Sequence, residues 1–175
     1  MAMVVKRSEM SSKDEFIANR KYGYIYKLVG LYGENFADWI VVSHTECGKH
    51  IKTKGGKARI LATIWLPIVN SEGEEVYIYL ARQVSSGEPV LVECGSVLGW
   101  LDYYEPGPGK MSKEEVTRRI ENIVSTFDDV ELNGLSLERE FDEFDAESFA
   151  FAFGQMIQVI SMLNGVGMFF ARQEQ

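Results

Sequence analysis

Cysteine and histidine are almost missing from this chain, with two of each among 175 residues. Two cysteines cannot build the disulfide framework of a small secreted scaffold. A chain this long does not need one, because a single domain of its size buries a real core. Two histidines leave little material for Ser-His-Asp chemistry, and no nucleophile elbow is present. Residues 1–21 lack the continuous apolar stretch of a secretory leader, so the cytoplasm is the expected location. Nucleotide-binding loops are missing too. Gly109-Lys110-Met111-Ser112 and Gly55-Gly56-Lys57-Ala58 echo the end of a phosphate loop. Both lack its leading glycine and the Ser or Thr directly after the lysine. The acidic run Glu138, Glu140, Asp142, Glu143, Asp145 and Glu147 has neither the spacing nor the glycine of an EF-hand, and reads as a solvated face. No internal repeat and no low-complexity segment is found. Nothing here is a catalytic signature, and the expectation is a protein that is not an enzyme and carries no cofactor.

Charge is missing from one long stretch, residues 148–171. So apolar a segment must be buried in the chain's own core or against another chain. The sequence predicts a helix over about 146–163, with Asp145 as N-cap and Asn164-Gly165 as its stop, then a buried strand over about 166–171. At 100° per residue, Phe149, Phe153, Met156, Ile160 and Leu163 share one apolar face. Phe151, Val159 and Met162 widen the apolar arc, which suggests a homodimer interface carried by Phe149, Phe151, Phe153 and Met162. A membrane span is the competing reading by length. Gln155, Gln158, Ser161, Asn164 and three glycines within the run argue against it, and no basic cluster flanks it.

The rest divides into a β-rich part and a helical part of one domain, residues 14–175, behind a loose arm at 1–13. Residues 14–20 suit a short helical turn. Alternation predicts strands near 22–32, 38–43, 58–69, 75–82, 89–94 and 97–104. Residues 44–57 read as a loop, and Pro67 marks an edge or bulge. Pro106-Gly107-Pro108-Gly109 breaks the chain inside a linker at 105–111. Ser112 and Glu115 form a capping box that opens a helix reaching about residue 127, and Asn133-Gly134 marks a short hairpin. The expected fold class is α+β: an antiparallel meander or partly closed barrel of about six strands, two main helices and a C-terminal strand.

The net charge of −8 is unevenly spread. Residues 1–67 carry 11 Lys and Arg against 6 Asp and Glu, whereas residues 68–175 carry 7 against 20. Within the basic half, Lys49, Lys52, Lys54, Lys57 and Arg59 fall in a glycine-containing stretch without an acid. Such a stretch suits contact with phosphates, and Tyr24 and Tyr26 on a neighbouring strand could stack on bases. A solvated, mobile loop is the plainer alternative, as tyrosine is also simply a good strand former. His44, Cys47 and His50, with Cys94, are a weak candidate zinc set, because three ligands within seven residues strain a loop. Two surface histidines and two small buried hydrophobes explain the same residues.

The expected function is therefore a non-catalytic accessory or structural subunit of a nucleic-acid-handling complex. It would contact RNA or single-stranded DNA through the basic loop and other protein subunits elsewhere. Ribonucleoprotein machines such as CRISPR effector complexes contain subunits of this size, an analogy of size and chemistry only. The alternative is a homodimeric protein-interaction module, chaperone-like or immunity-type, without a nucleic-acid role. A metal-dependent enzyme using His44, Cys47 and His50 is a fainter third.

Overall fold

A computed structural model describes residues 41–142 and 146–171. The arm, the short turn and the strand expected before residue 38 lie outside the described residues. The strand expected at 38–43 is described as Val41–Ser43 (β1). It is followed by His50–Thr53 (β2), Gly56–Val69 (β3), Glu75–Gln83 (β4) and Pro89–Glu93 (β5). A short 3₁₀ helix, Gly99–Tyr103, precedes the helix Lys113–Ser125 (α1). The hairpin Val130–Asn133 (β6) and Ser136–Glu140 (β7) leads into the long helix Ala146–Ala171 (α2). All seven strands join one antiparallel sheet in the order β1-β3-β4-β5-β7-β6, with β2 on the edge of β3 that β1 also uses. The class is α+β, as expected, and the sheet is open rather than a barrel.

Three expectations are corrected. Residues 44–57 are not one loop: β2 lies within them and pairs back on β3. Residues 97–104 form no strand, because Trp100 and Leu101 turn into the core within the 3₁₀ helix and are each 5 % exposed. The third concerns the chain's end. There is neither a helix stop at Asn164-Gly165 nor a strand at 166–171, since α2 continues for 26 residues.

Neighbouring packing explains that continuity. Asn164 does not cap; its side-chain amide donates to the Val69 carbonyl at the end of β3, 2.9 Å away. Gly167 lies so close to Trp100 that an added Cβ would stand 2.7 Å from the indole Nε1. One turn further on, Phe170 stacks on Trp100 with ring centroids 5.8 Å apart and meets Tyr104 edge-on at 5.7 Å. These contacts hold the last two turns in helical geometry, outweighing the local preference of Asn-Gly.

The predicted inner face of α2 is the centre of the core. Phe149, Ala152, Phe153, Met156, Val159, Ile160 and Leu163 are fully buried against Ile64, Ile78, Leu80, Leu91 and Leu137 of the sheet. Each large side chain buried there contributes on the order of 1.5–3 kcal/mol. Val116, Ile120 and Val124 of α1 close the same cluster. Ser112 caps α1 by accepting from the Glu115 amide at 3.2 Å. The reciprocal half of the box is replaced: the Glu115 carboxylate accepts from Arg118 and Arg119, which hold it below the ordinary carboxylate range.

The turn that aims Trp100 depends on Glu93. This carboxyl is fully buried, and its Oε1 accepts from the Ser96 amide at 2.7 Å, the Ser96 hydroxyl at 2.8 Å and the Val97 amide at 3.3 Å. Among the described residues its Oε2 meets no hydrogen-bond donor. Desolvation raises its pKa, and hydrogen bonds from the Ser96 hydroxyl and the Gly95, Ser96 and Val97 amides only partly oppose that.

Two predictions follow from this packing. Gly167→Ala forces the Trp100 ring to move and lowers stability by about 1–3 kcal/mol. Gly165→Ala meets open space on the exposed side of a continuous helix and raises stability by about 0.5–1 kcal/mol. Urea denaturation of the pair checks both, and a helix stop at Gly165 would make the second substitution destabilising instead. For Glu93 the folded state binds the proton more tightly than the unfolded chain. Stability is therefore greatest below the ordinary carboxylate range and falls as pH rises through the raised pKa. Glu93→Gln removes that fall, which shows in the pH dependence of the urea midpoint.

Candidate functional site

The basic stretch is built on a tight hairpin. Thr53 pairs with Gly56, leaving Lys54-Gly55 as a two-residue connection, and Gly56 adopts φ +111°, which an L side chain rarely does. The Thr53 hydroxyl closes the turn on the Gly56 carbonyl at 2.8 Å. Alternation along both strands then sorts the side chains. Ile51, Thr53 and Ala58 turn inward, with Ile51 and Ala58 packing against Ala81, Val90 and Val92. His50, Lys52, Lys57 and Arg59 are exposed.

Register places those four together. Lys52 stands directly opposite Lys57, and His50 opposite Arg59. On the other side of β3, Arg59 stands opposite the exposed Arg82 of β4. Directly opposed side chains share a face, so three adjacent strands present one basic patch. Among the described residues no ion pair engages Lys52, Lys57 or Arg59. Opposed like charges cost stability, which makes an uncompensated lysine pair informative.

Lys49 and Lys54 have other duties. Lys49 pairs with Glu46 at 2.7 Å in the preceding turn. Lys54 is the point where the hairpin tip meets the far strands of the sheet. Its Nζ lies 2.7 Å from Glu131 on β6, and its backbone amide donates to Glu138 on β7 at 2.9 Å. Asn133 donates to the same Glu138 carboxylate at 2.9 Å. The hydrogen bond to Glu131 raises the Lys54 pKa. Close by, Gln83 donates to Thr53 at 2.8 Å and to Glu140 at 3.1 Å. Side chains thus link the two sides of a curled sheet that the backbone leaves open.

Beside this junction lies a groove of about 620 Å³ walled by Glu88, Asp129, Glu131, Glu138, Glu140 and Asp142. Arg139 sits in its wall, 7 % exposed, donating to Gln155 of α2 at 2.7 Å and to the Glu140 carbonyl. The groove repels polyanions; the patch at Lys52, Lys57 and Arg59 attracts them.

Other expected site residues are placed as follows. Tyr24 and Tyr26 lie outside the described residues, as do Glu143 and Asp145. His44 is half-buried, Cys47 is exposed in the turn after it, and Cys94 reaches the surface after β5. No three His, Cys, Asp or Glu side chains among the described residues gather to hold a metal ion. Desolvation, helped by Glu93 and Glu138, pushes the Cys94 thiol up to about 11, which disfavours the thiolate that metals and electrophiles require. Phe149 and Phe153 belong to the core and are closed to a partner, whereas Phe151 and Met162 are exposed.

Sequence reading missed Arg82, although the alternation in residues 75–82 carries it. It also missed an aromatic row, Trp65, Tyr77 and Tyr79, with centroids 4.8 and 5.0 Å apart. Register sets this row on the sheet face opposite the basic patch. Desolvation raises both tyrosine pKa values.

Comparison of the chain with protein-family models, curated proteins and solved structures finds no match to any of them.

The junction can be tested on its own. Glu138→Ala strips the hairpin tip of its buried acceptor and costs about 1–3 kcal/mol in urea denaturation. Lys54→Ala removes only an exposed ion pair and leaves the midpoint nearly unchanged.

Proposed function

We propose that this protein is a non-catalytic nucleic-acid-binding subunit that contacts the phosphate backbone of RNA or single-stranded DNA through the β2–β3 hairpin. The observation that carries this reading is the opposed lysine pair, Lys52 and Lys57, with Arg59 beside it and, among the described residues, no acid paired with any of the three. Lys49 and Lys54 are set apart from the contact surface, because each is already paired with a carboxylate. Cationic side chains spread over a sheet face suit phosphates first, so the contact proposed is to the backbone. On an acidic chain a confined basic face also orients the ligand: the strand lies along β2–β3–β4 and away from the groove beside β6 and β7. Within a larger assembly, the acidic surfaces remain available to other protein subunits.

Fluorescence-anisotropy titration against mixed single-stranded RNA and DNA at several salt concentrations tests the proposal. Affinity is expected to fall linearly on a log–log scale, with a slope of about −0.7 per phosphate neutralised. Lys52→Ala, Lys57→Ala and Arg59→Ala each reduce the magnitude of the slope by about 0.7, whereas Lys54→Ala barely alters it. A flat salt response, or equal effects from all four substitutions, would refute the assignment.

A further inference from the structure

The outward side of α2 is the largest unexplained feature of the described surface. Phe151, Met162 and Phe169 are 64 %, 49 % and 60 % exposed, and they account for half of the exposed large hydrophobic residues. Phe151 and Phe169 are separated by 18 residues, five helical turns, and so point the same way along about 27 Å of helix. Gln158, Ser161 and Gly165 complete the exposed stripe, whose helix residues carry no charge between the two phenylalanines. Phe151 also borders the acidic groove, with the Arg139 guanidinium 5.9 Å from its ring centroid.

We infer that this stripe is covered by the same stripe of a second copy, with the two α2 helices antiparallel. Charge selects this occupant. The chain carries −8 overall, so two copies repel across most of their surfaces and meet without that cost only on an uncharged face. Absence of Lys and Arg from the helix also disfavours a seat on an anionic membrane. Antiparallel pairing sets the positive N-terminal end of each helix dipole beside the negative C-terminal end of the other.

Spacing supports the same arrangement. Phe151 and Phe169 are equidistant from position 160, and a two-fold axis there makes the stripe self-complementary, as an isologous dimer requires. Phe151 then meets Phe169 of the partner subunit at both ends. Met162 meets Gln158 of the partner subunit near the axis. This contact is independent of the basic patch, which lies on a different element.

Light scattering and sedimentation of the full chain at micromolar concentration, with and without substitutions, test the inference. Wild type is expected to be a dimer. Phe151→Glu and Phe169→Lys each weaken association about tenfold or more. Combined in one chain they restore it, because an antiparallel pair sets the new acid of each copy against the new base of the other. Monomeric wild type at every concentration would overturn the proposal. So would a dimer indifferent to both single substitutions, or a double variant no tighter than the singles. Both positions are exposed, and the carboxylate of Phe151→Glu can still face Arg139, so the single variants should stay folded; unfolding of either would also contradict the stripe.

Discussion

Burial of one face of α2 against the open sheet is the constraint on which the remaining structure depends. Seven fully buried residues from Phe149 to Leu163 fill the space between the sheet and α1. Once that face is fixed, the last two turns have nowhere to go but along Trp100, and Gly167 provides the clearance they need. The Glu93 turn exists to aim Trp100 at that position. The same geometry leaves Phe151, Met162 and Phe169 exposed. Core and exposed stripe are therefore two consequences of one helix being apolar nearly all round.

The charge asymmetry of the sequence is partly spent inside the fold. A basic hairpin tip meets acids from the second half of the chain, and Glu138 and Glu131 hold Lys54 where the curled sheet comes closest to itself. Glu46 holds Lys49. Among the described residues of the basic half, Lys52, Lys57 and Arg59 remain without an ion pair, in register across two strands. An excess of lysine in a sequence window is weak grounds for nucleic-acid binding. Subtracting the lysines that have structural partners makes it a defined surface with defined substitutions.

Much of the fold was legible in the sequence, and the failures have physical causes. Period-2 alternation located β3, β4 and β5, and the 3.6-residue period located the inner face of α2, because burial on one side imposes those periods directly. Asn164-Gly165 misled because a local stop signal is worth little against the packing of Trp100 and Phe170. Residues 97–104 misled because a short apolar run is equally compatible with a strand and with a turn that inserts its side chains. Of the candidate site, the basic residues were visible but their division was not. Lys49 is paired locally, with Glu46 three positions earlier, but the partners of Lys54 lie 77 and 84 positions away, at Glu131 and Glu138, and no local pattern encodes those. Arg82 lies in a legible alternation, but its place beside Arg59 is set across a ladder.

Amide chemical-shift mapping of the isotope-labelled chain with a short single-stranded oligonucleotide addresses the central claim most directly. The expected perturbations cluster on His50–Thr53, on residues 56–59 and around Arg82, with the α2 stripe and the acidic groove unmoved. Perturbations confined to α2 or to the β6–β7 hairpin, or none at low salt, would contradict the assignment of this hairpin as the nucleic-acid surface.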